Sequence, residues 1–281
     1  MQITSPLMAF ITGGASGIGL GFARALAERG ASIAIADIRA DHLKEARAVA
    51  RQEGWEDRAI FLPLDVMDRP GFAAALDAAE AALGPLRIMA NNAGVGISGP
   101  MDLASYADWD WGLGVNLGGV VNGLVNALPR IEAHGLGGHV INTASLGALI
   151  PARLERGIYV TAKAGIIGLS EHLRLDLAEK SIGVSVLCPG PVKTNIRESG
   201  LTRPAHLPAS ESFGAIETAL AGRSDAPDWL EPIDVGRMMV EAIEQDRLYI
   251  FPHPAFVPAV AKRHAAIEAA FGLPCTGETP A

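Results

Sequence analysis

Short apolar runs alternate with helix-patterned stretches along most of the chain, and this rhythm constrains the fold more than any other feature. Residues 7–12, 32–36, 59–64, 87–90, 139–143, 183–187 and 248–251 read as strands. Between them, 17–29, 41–53, 70–83, 106–134 and 157–180 read as helices, the first two closed by Gly30 and Gly54. Strands that are apolar throughout are covered on both faces. The pattern therefore predicts an α/β fold: one Rossmann-like, doubly wound parallel sheet of about seven strands with helices on both faces. A chain of 281 residues suits a single domain over 1–281. Residues 193–231 break the rhythm. They are rich in Pro, Ser, Gly and Ala, too long for an ordinary connection, and are expected to form a substrate lid, with a variable surface excursion as the alternative. A C-terminal helix is expected over 255–273.

The net charge of −8, with no dense Lys/Arg block, argues against nucleic acid or an anionic membrane as partner. Cys188 and Cys275 match no metal spacing, so no metal and no disulfide framework are expected. Cys188 sits in an apolar run and reads as a core thiol. With no basic leader and no apolar stretch of membrane-spanning length, a cytoplasmic protein is expected.

Thr12-Gly13-Gly14-Ala15-Ser16-Gly17-Ile18-Gly19 follows the first strand and opens the first helix. Glycines allow a tight turn and let a pyrophosphate approach the backbone. The helix N-terminus adds free N–H groups and a partial positive charge. Asp37, at the end of the second strand, can accept hydrogen bonds from a ribose diol and would repel a 2′-phosphate. NAD(H) is thus the preferred cofactor. NADP(H) stays open because Arg39, two residues on, could bind a phosphate. Further along, Tyr159 and Lys163 stand one helical turn apart on one face. A phenol beside a fixed ammonium can do acid–base chemistry near neutral pH.

Taken together, these motifs resemble the short-chain dehydrogenases/reductases. The likeness runs over residues 8–194. It comprises the glycine turn, Asp65-Val66, Asn91-Asn92-Ala93-Gly94, Val115-Asn116-Leu117-Gly118, Ser145, Tyr159-x-x-x-Lys163 and Pro189-Gly190, in family order. The resemblance implies an oxidoreductase that moves a hydride between a nicotinamide cofactor and an alcohol or ketone. Tyr159 would be the acid–base. Lys163 would lower its pKa and hold the nicotinamide ribose, Ser145 would orient the substrate oxygen, and Asn116 would anchor a relay water. Gly13, Ser16, Gly17, Ile18, Gly19, Asp37 and Arg39 would bind the cofactor, with Asp65 and Val66 at the adenine and Asn91 and Gly94 at the adenosine ribose. Pro189, Gly190, Val192 and Thr194 would frame the nicotinamide. Two rival functions are a catalytically silent dinucleotide-binding regulator and a non-redox lyase or epimerase on the same fold.

The interval from Ser145 to Tyr159 is one residue longer than the common family spacing, and its 152–156 stretch is unusually charged. Thr143, two positions before Ser145 on the same strand face, offers an alternative hydroxyl. The expected pocket residues are Val95, Ile97, Leu146, Leu149, Pro191 and Ile196, with Leu201 and Phe213 from the lid. Leu146, Leu149 and Ile196, with Ser145 and Tyr159, are the expected substrate contacts. An apolar lining suits a hydrophobic secondary alcohol or ketone. Residues 106–124 and 248–256 resemble the Cα-dehydrogenases of lignin-derived aryl ethers, which oxidise a benzylic alcohol to an aryl ketone; an aromatic substrate is the resulting expectation. In the resembled family the helices over 106–134 and 157–180 commonly form subunit interfaces, so a homotetramer, or a homodimer, is expected.

Overall fold

Alternate residues of the central strands face opposite sides and meet different helices. Met8 and Phe10 pack with Phe72, Leu76, Val120 and Leu124. Ala9 and Ile11 pack with Phe22, Leu26, Leu43, Val235 and Met239. Both sheet faces are therefore buried, as strands apolar throughout demand.

The computed structural model describes residues 1, 3, 7–150, 155–221, 223, 226 and 228–272. In chain order the main elements are β1 (Met8–Thr12), α1 (Gly17–Glu28), β2 (Ser32–Asp37), α2 (Ala40–Gln52), β3 (Ala59–Pro63), α3 (Arg69–Leu83), β4 (Leu86–Asn91) and α4 (Tyr106–Leu113). There follow α5 (Gly119–His134), β5 (Gly138–Thr143), α6 (Gly157–Asp176), β6 (Ile182–Leu187), α7 (Glu211–Leu220), α8 (Pro232–Glu244), β7 (Tyr249–Ile250) and α9 (Val257–Ala270). The strands form one sheet in the order β3-β2-β1-β4-β5-β6-β7, every pair parallel. The order reverses between β1 and β4, and a crevice opens outside the carboxyl ends of the strands at such a switch point. No helix among the described residues is long and apolar enough to cross a membrane.

The expected seven-stranded sheet is present, with local differences. The 106–134 helix is divided by a π-helical turn over Gly114–Gly118. The helix from Gly157 ends at Asp176, short of Lys180. Residues 193–231 are not a plain loop: they hold a 3-10 segment, Asn195–Thr202, and α7. Residues 222, 224, 225 and 227 of that stretch lie outside the described residues, as do 152–154, residue 273 and Cys275. Helix α8 was not anticipated. It crosses α1 so closely that a Cβ on Gly21 would lie 2.2 Å from the Pro232 carbonyl oxygen, and one on Gly236 would lie 2.3 Å from that of Gly21.

One buried polar chain joins β5 to the sheet edge. His139 is 1% exposed, and its Nε2 lies 2.8 Å from Ser185 Oγ, which donates to the Arg247 carbonyl at 2.6 Å. Ser185 Oγ therefore accepts from a neutral imidazole carrying its proton on Nε2. Burial pulls this imidazole down to about 4. An unfolded histidine protonates near pH ~6.5. As pH falls between these values the unfolded chain binds a proton that the native one refuses. His139 should thus remove up to about 3 kcal/mol of stability over that window and nothing above it. Denaturant unfolding of His139→Asn across the same range should give a flatter pH profile; a slope parallel to the parent's refutes the assignment.

Candidate active site

The crevice is a cavity of about 410 Å³ whose wall is built from the residues that follow the strands. Gly13, Ser16, Gly17 and Ile18 come from the β1–α1 turn, Asp37 and Arg39 from the end of β2, and Asp65 and Val66 from beyond β3. Gly94 follows β4. Ser145 and Leu146 follow β5, while Pro189, Gly190, Val192 and Thr194 follow β6. Ile196 comes from the 3-10 segment Asn195–Thr202, and Tyr159 and Lys163 stand on α6. Among the expected site residues, only Gly19, Asn91, Asn116 and Leu149 are off the wall.

Each exception has a packing reason. Gly19 lies under the turn, where a Cβ would meet the Gly13 carbonyl oxygen at 2.1 Å. Asn91 is the last residue of β4 and its Nδ2 donates to Asn142 Oδ1 at 2.9 Å inside the sheet; its neighbour Asn92 reaches the wall instead. Leu149 packs with the core cluster behind β5, and Ile150 takes the expected position. Three apolar residues expected in the pocket are also misplaced. Ile97 packs behind Trp111, Phe213 is fully buried, and Leu201 is 69% exposed. Trp111, Trp229, Phe256 and His42 line the cavity without having been foreseen, and Arg156 brings the charged loop before Tyr159 to the same wall.

Gly13 and Gly17 adopt φ of +59° and +49°, a region that favours glycine. The turn so formed brings the N-terminus of α1 onto the cavity. Asp37 is held at the end of β2 by two backbone donors, Arg39 N–H at 3.0 Å and Ala15 N–H at 3.3 Å. Burial raises its carboxyl, and those two bonds oppose the rise. The Arg39 guanidinium donates to Asp41 at 2.8 Å and lies 3.5 Å from Glu198.

Asn116 sits fully buried in the π-helical turn, a distortion often found at functional sites. Its Oδ1 accepts from Val95 N–H at 3.1 Å, and its Nδ2 donates to the carbonyls of Val95 and Gly112, each at 3.0 Å. This amide therefore ties the post-β4 loop to the helix. Lys163 is 3% exposed and donates from Nζ to the Thr143 carbonyl at 2.8 Å. Burial pushes its ammonium down to about 8. Nζ is 5.8 Å from the Tyr159 ring centroid.

Burial pushes the half-buried Tyr159 phenol up, while the neighbouring Ser145 hydroxyl and the Arg156 guanidinium pull it down. Ser145 Oγ accepts from Gly147 N–H at 3.1 Å, which leaves its own proton available to donate. The Thr143 hydroxyl instead donates to Asn92 Oδ1 at 3.2 Å. Leu146 N–H donates to the Pro189 carbonyl at 3.0 Å, joining the Ser145 loop to the loop after β6. That second loop is gripped by His253: Gly190 N–H donates to its Nδ1 at 3.0 Å, and its Nε2 donates to the Pro191 carbonyl at 3.0 Å. Cys188 is buried, as expected of a core thiol, and its pKa is pushed up to about 12.

A sequence profile described as short chain dehydrogenase matches residues 7–203. The chain belongs to the short-chain dehydrogenase/reductase family. It is an oxidoreductase of that family, and several relatives of known name or structure are similar to it. The C alpha-dehydrogenase of Sphingobium sp. (strain NBRC 103272 / SYK-6) is 40% identical over 92% of this chain and 85% of its own length. A short-chain dehydrogenase/reductase from Burkholderia phymatum, solved in complex with NAD, is 32% identical, covers 100% of both chains and superposes with a TM-score of 0.88. The apo form of LigO from Sphingobium sp. strain SYK-6 is 36% identical over 97% of this chain and 92% of its own, with a TM-score of 0.78.

Proposed function

We propose that this short-chain dehydrogenase/reductase is an NAD-dependent enzyme that interconverts bulky aromatic secondary alcohols and their ketones. The carrying observation is one cavity wall that presents Ser145, Tyr159 and Lys163 beside the glycine turn. A dinucleotide suits the rest of the wall. The turn at Gly13 and Gly17 leaves backbone within reach of a pyrophosphate at the start of α1. When bound, the nicotinamide supplies the site that accepts or donates hydride.

The chain's own groups handle the proton. In the oxidising direction Tyr159 takes the alcohol proton on its phenolate oxygen, and in reduction it returns one to the carbonyl oxygen. Ser145 donates its hydroxyl proton to the same substrate oxygen and fixes its position. Lys163 holds positive charge beside the phenol and the nicotinamide ribose. Both Asn116 amide hydrogens are used on backbone carbonyls, so a relay water here would donate either to Asn116 Oδ1 or to a backbone carbonyl of the π-helical turn.

Asp37 favours an unmodified adenosine ribose. Arg39 is already balanced by Asp41 and Glu198, so it offers little to a 2′-phosphate. The substrate class is supported by the unforeseen aromatic lining, Trp111, Trp229 and Phe256, with Ile150, Leu146 and Pro191. The similarity to the Sphingobium C alpha-dehydrogenase supports it independently. A coupled screen of secondary alcohols and ketones with both cofactors is the test. Aryl alcohols should outperform small aliphatic ones, and NAD should exceed NADP by about 100-fold in kcat/KM, the scale set by like-charge repulsion at Asp37. A preference for NADP removes the reading of Asp37. Faster turnover of small aliphatic alcohols removes the aromatic substrate.

A further inference from the structure

The loop between Ser145 and Tyr159 places a second cation on the catalytic ring. Arg156 lies just before α6, and its guanidinium carbon is 5.2 Å from the Tyr159 ring centroid. Two of its bonds go to loop groups: Nη1 donates to Ser98 Oγ at 2.7 Å and to the Gly96 carbonyl at 3.2 Å. The backbone is fixed as well. Glu155 adopts φ +61°, and its carbonyl accepts from Gly99 N–H at 2.8 Å. A cation over an aromatic face is attracted by the ring's negative quadrupole. A phenolate spreads further negative charge into the same ring, which strengthens that attraction.

We propose that Arg156 is a positioning residue for the acid–base step, its fixed charge favouring the anionic form of Tyr159. The proposal rests on Tyr159 being the acid–base. In oxidation the alcohol O–H bond breaks and its proton goes to the phenolate oxygen. The C–H bond breaks, and its hydride, with the electron pair, passes to the oxidised dinucleotide. The alcohol is oxidised and the dinucleotide reduced. The phenolate must exist first, so whatever stabilises it widens the working pH range toward acid.

Among the described residues, the other charged groups around the ring do not duplicate this contact. Lys163 is the other cation facing it, one turn further along α6 at 5.8 Å, and it also donates to the Thr143 carbonyl. Ser145 is the polar neighbour from the β5 side. Cys188 is near Lys163 and stays a neutral thiol. On the α4 side the ring packs in a cluster with Trp111, beyond which Arg203 is paired with Asp108 and Glu217. Asp37, Arg39, His42, Asp65 and Glu198 share the cavity but stand at its β2–β3 end or pair with Arg39.

The chain has three tyrosines, Tyr106, Tyr159 and Tyr249. Tyr106 and Tyr249 are exposed, so Tyr106→Phe and Tyr249→Phe together leave Tyr159 as the sole source of a tyrosinate ultraviolet signal. In that full-length background, without cofactor, Arg156→Gln should raise the tyrosinate midpoint by about one pH unit. Arg156→Lys should stay close to the parent, and Arg156→Met serves as a second neutral variant. The acid limb of kcat/KM for alcohol oxidation should move alkaline by the same amount, because activity is lost as pH falls through this titration. An unmoved midpoint in the neutral variants overturns the proposal, as does an equal rise in Arg156→Lys. Failure of the acid–base reading itself is recognised separately, by full turnover in Tyr159→Phe.

Discussion

Tyr159→Phe is expected to lower kcat by about three orders of magnitude while leaving dinucleotide affinity nearly intact. The substitution removes only the hydroxyl. The ring packs with Val95, Ile97, Trp111 and Ile158, contacts that phenylalanine keeps, and the Arg156 guanidinium still has a ring face to rest on. Lys163 keeps its bond to the Thr143 carbonyl, and the glycine turn lies on another part of the wall. Binding can be followed by quenching of Trp111 or Trp229, both on the cavity, alongside steady-state rates. A variant with parental rates would overturn the proton-transfer mechanism; lost dinucleotide binding would mean that the hydroxyl supports the fold rather than the chemistry.

The second large effect concerns the frame. Gly21→Val should destabilise the protein by about 3 kcal/mol or more. The Cβ alone would stand 2.2 Å from the Pro232 carbonyl oxygen, and that atom belongs to backbone that cannot swing aside. Gly236 faces the same crossing, so α1 and α8 would have to separate. Thermal unfolding should show a fall in Tm on the order of 10 °C. Because α1 carries the turn that faces the cavity, dinucleotide affinity should weaken in the same variant. A Tm within a degree or so of the parent would mean that the crossing relaxes at little cost.

Most of the sheet was legible because each strand is bounded by turn residues and is buried on both faces. Placement on one cavity wall was legible too for Tyr159 and Lys163, set by spacing along α6, and for the glycine turn and Asp37, set by their places at the ends of β1 and β2. What failed depended on which way a residue faces. Asn91 and Asn92 are adjacent, and strand alternation sends the first into the sheet and the second to the cavity. Leu149 and Ile150 divide in the same way within a short loop. The helices in 193–231 were hidden by a composition that suggests a loop. They are held by tertiary contacts, with Phe213 fully buried and Arg203 bonded to both Asp108 and Glu217. Arg156 was visible only as one charge in an unusual loop, since its place over the ring is set by a left-handed Glu155 and by bonds to residues nearly 60 positions away.

His253 limits how this chain can be recombined with its relatives. The family profile ends at residue 203, yet the loop after β6 is gripped by an imidazole from beyond β7. A chimera that joins the first 203 residues to another family member's tail inherits the gripped loop without its grip. Such a hybrid needs a ring at this place that accepts on one nitrogen and donates from the other, or the backbone expected to frame the nicotinamide loses both bonds. The working module therefore extends at least to His253, and exchange of substrate specificity among relatives is best made at boundaries that keep the two segments together.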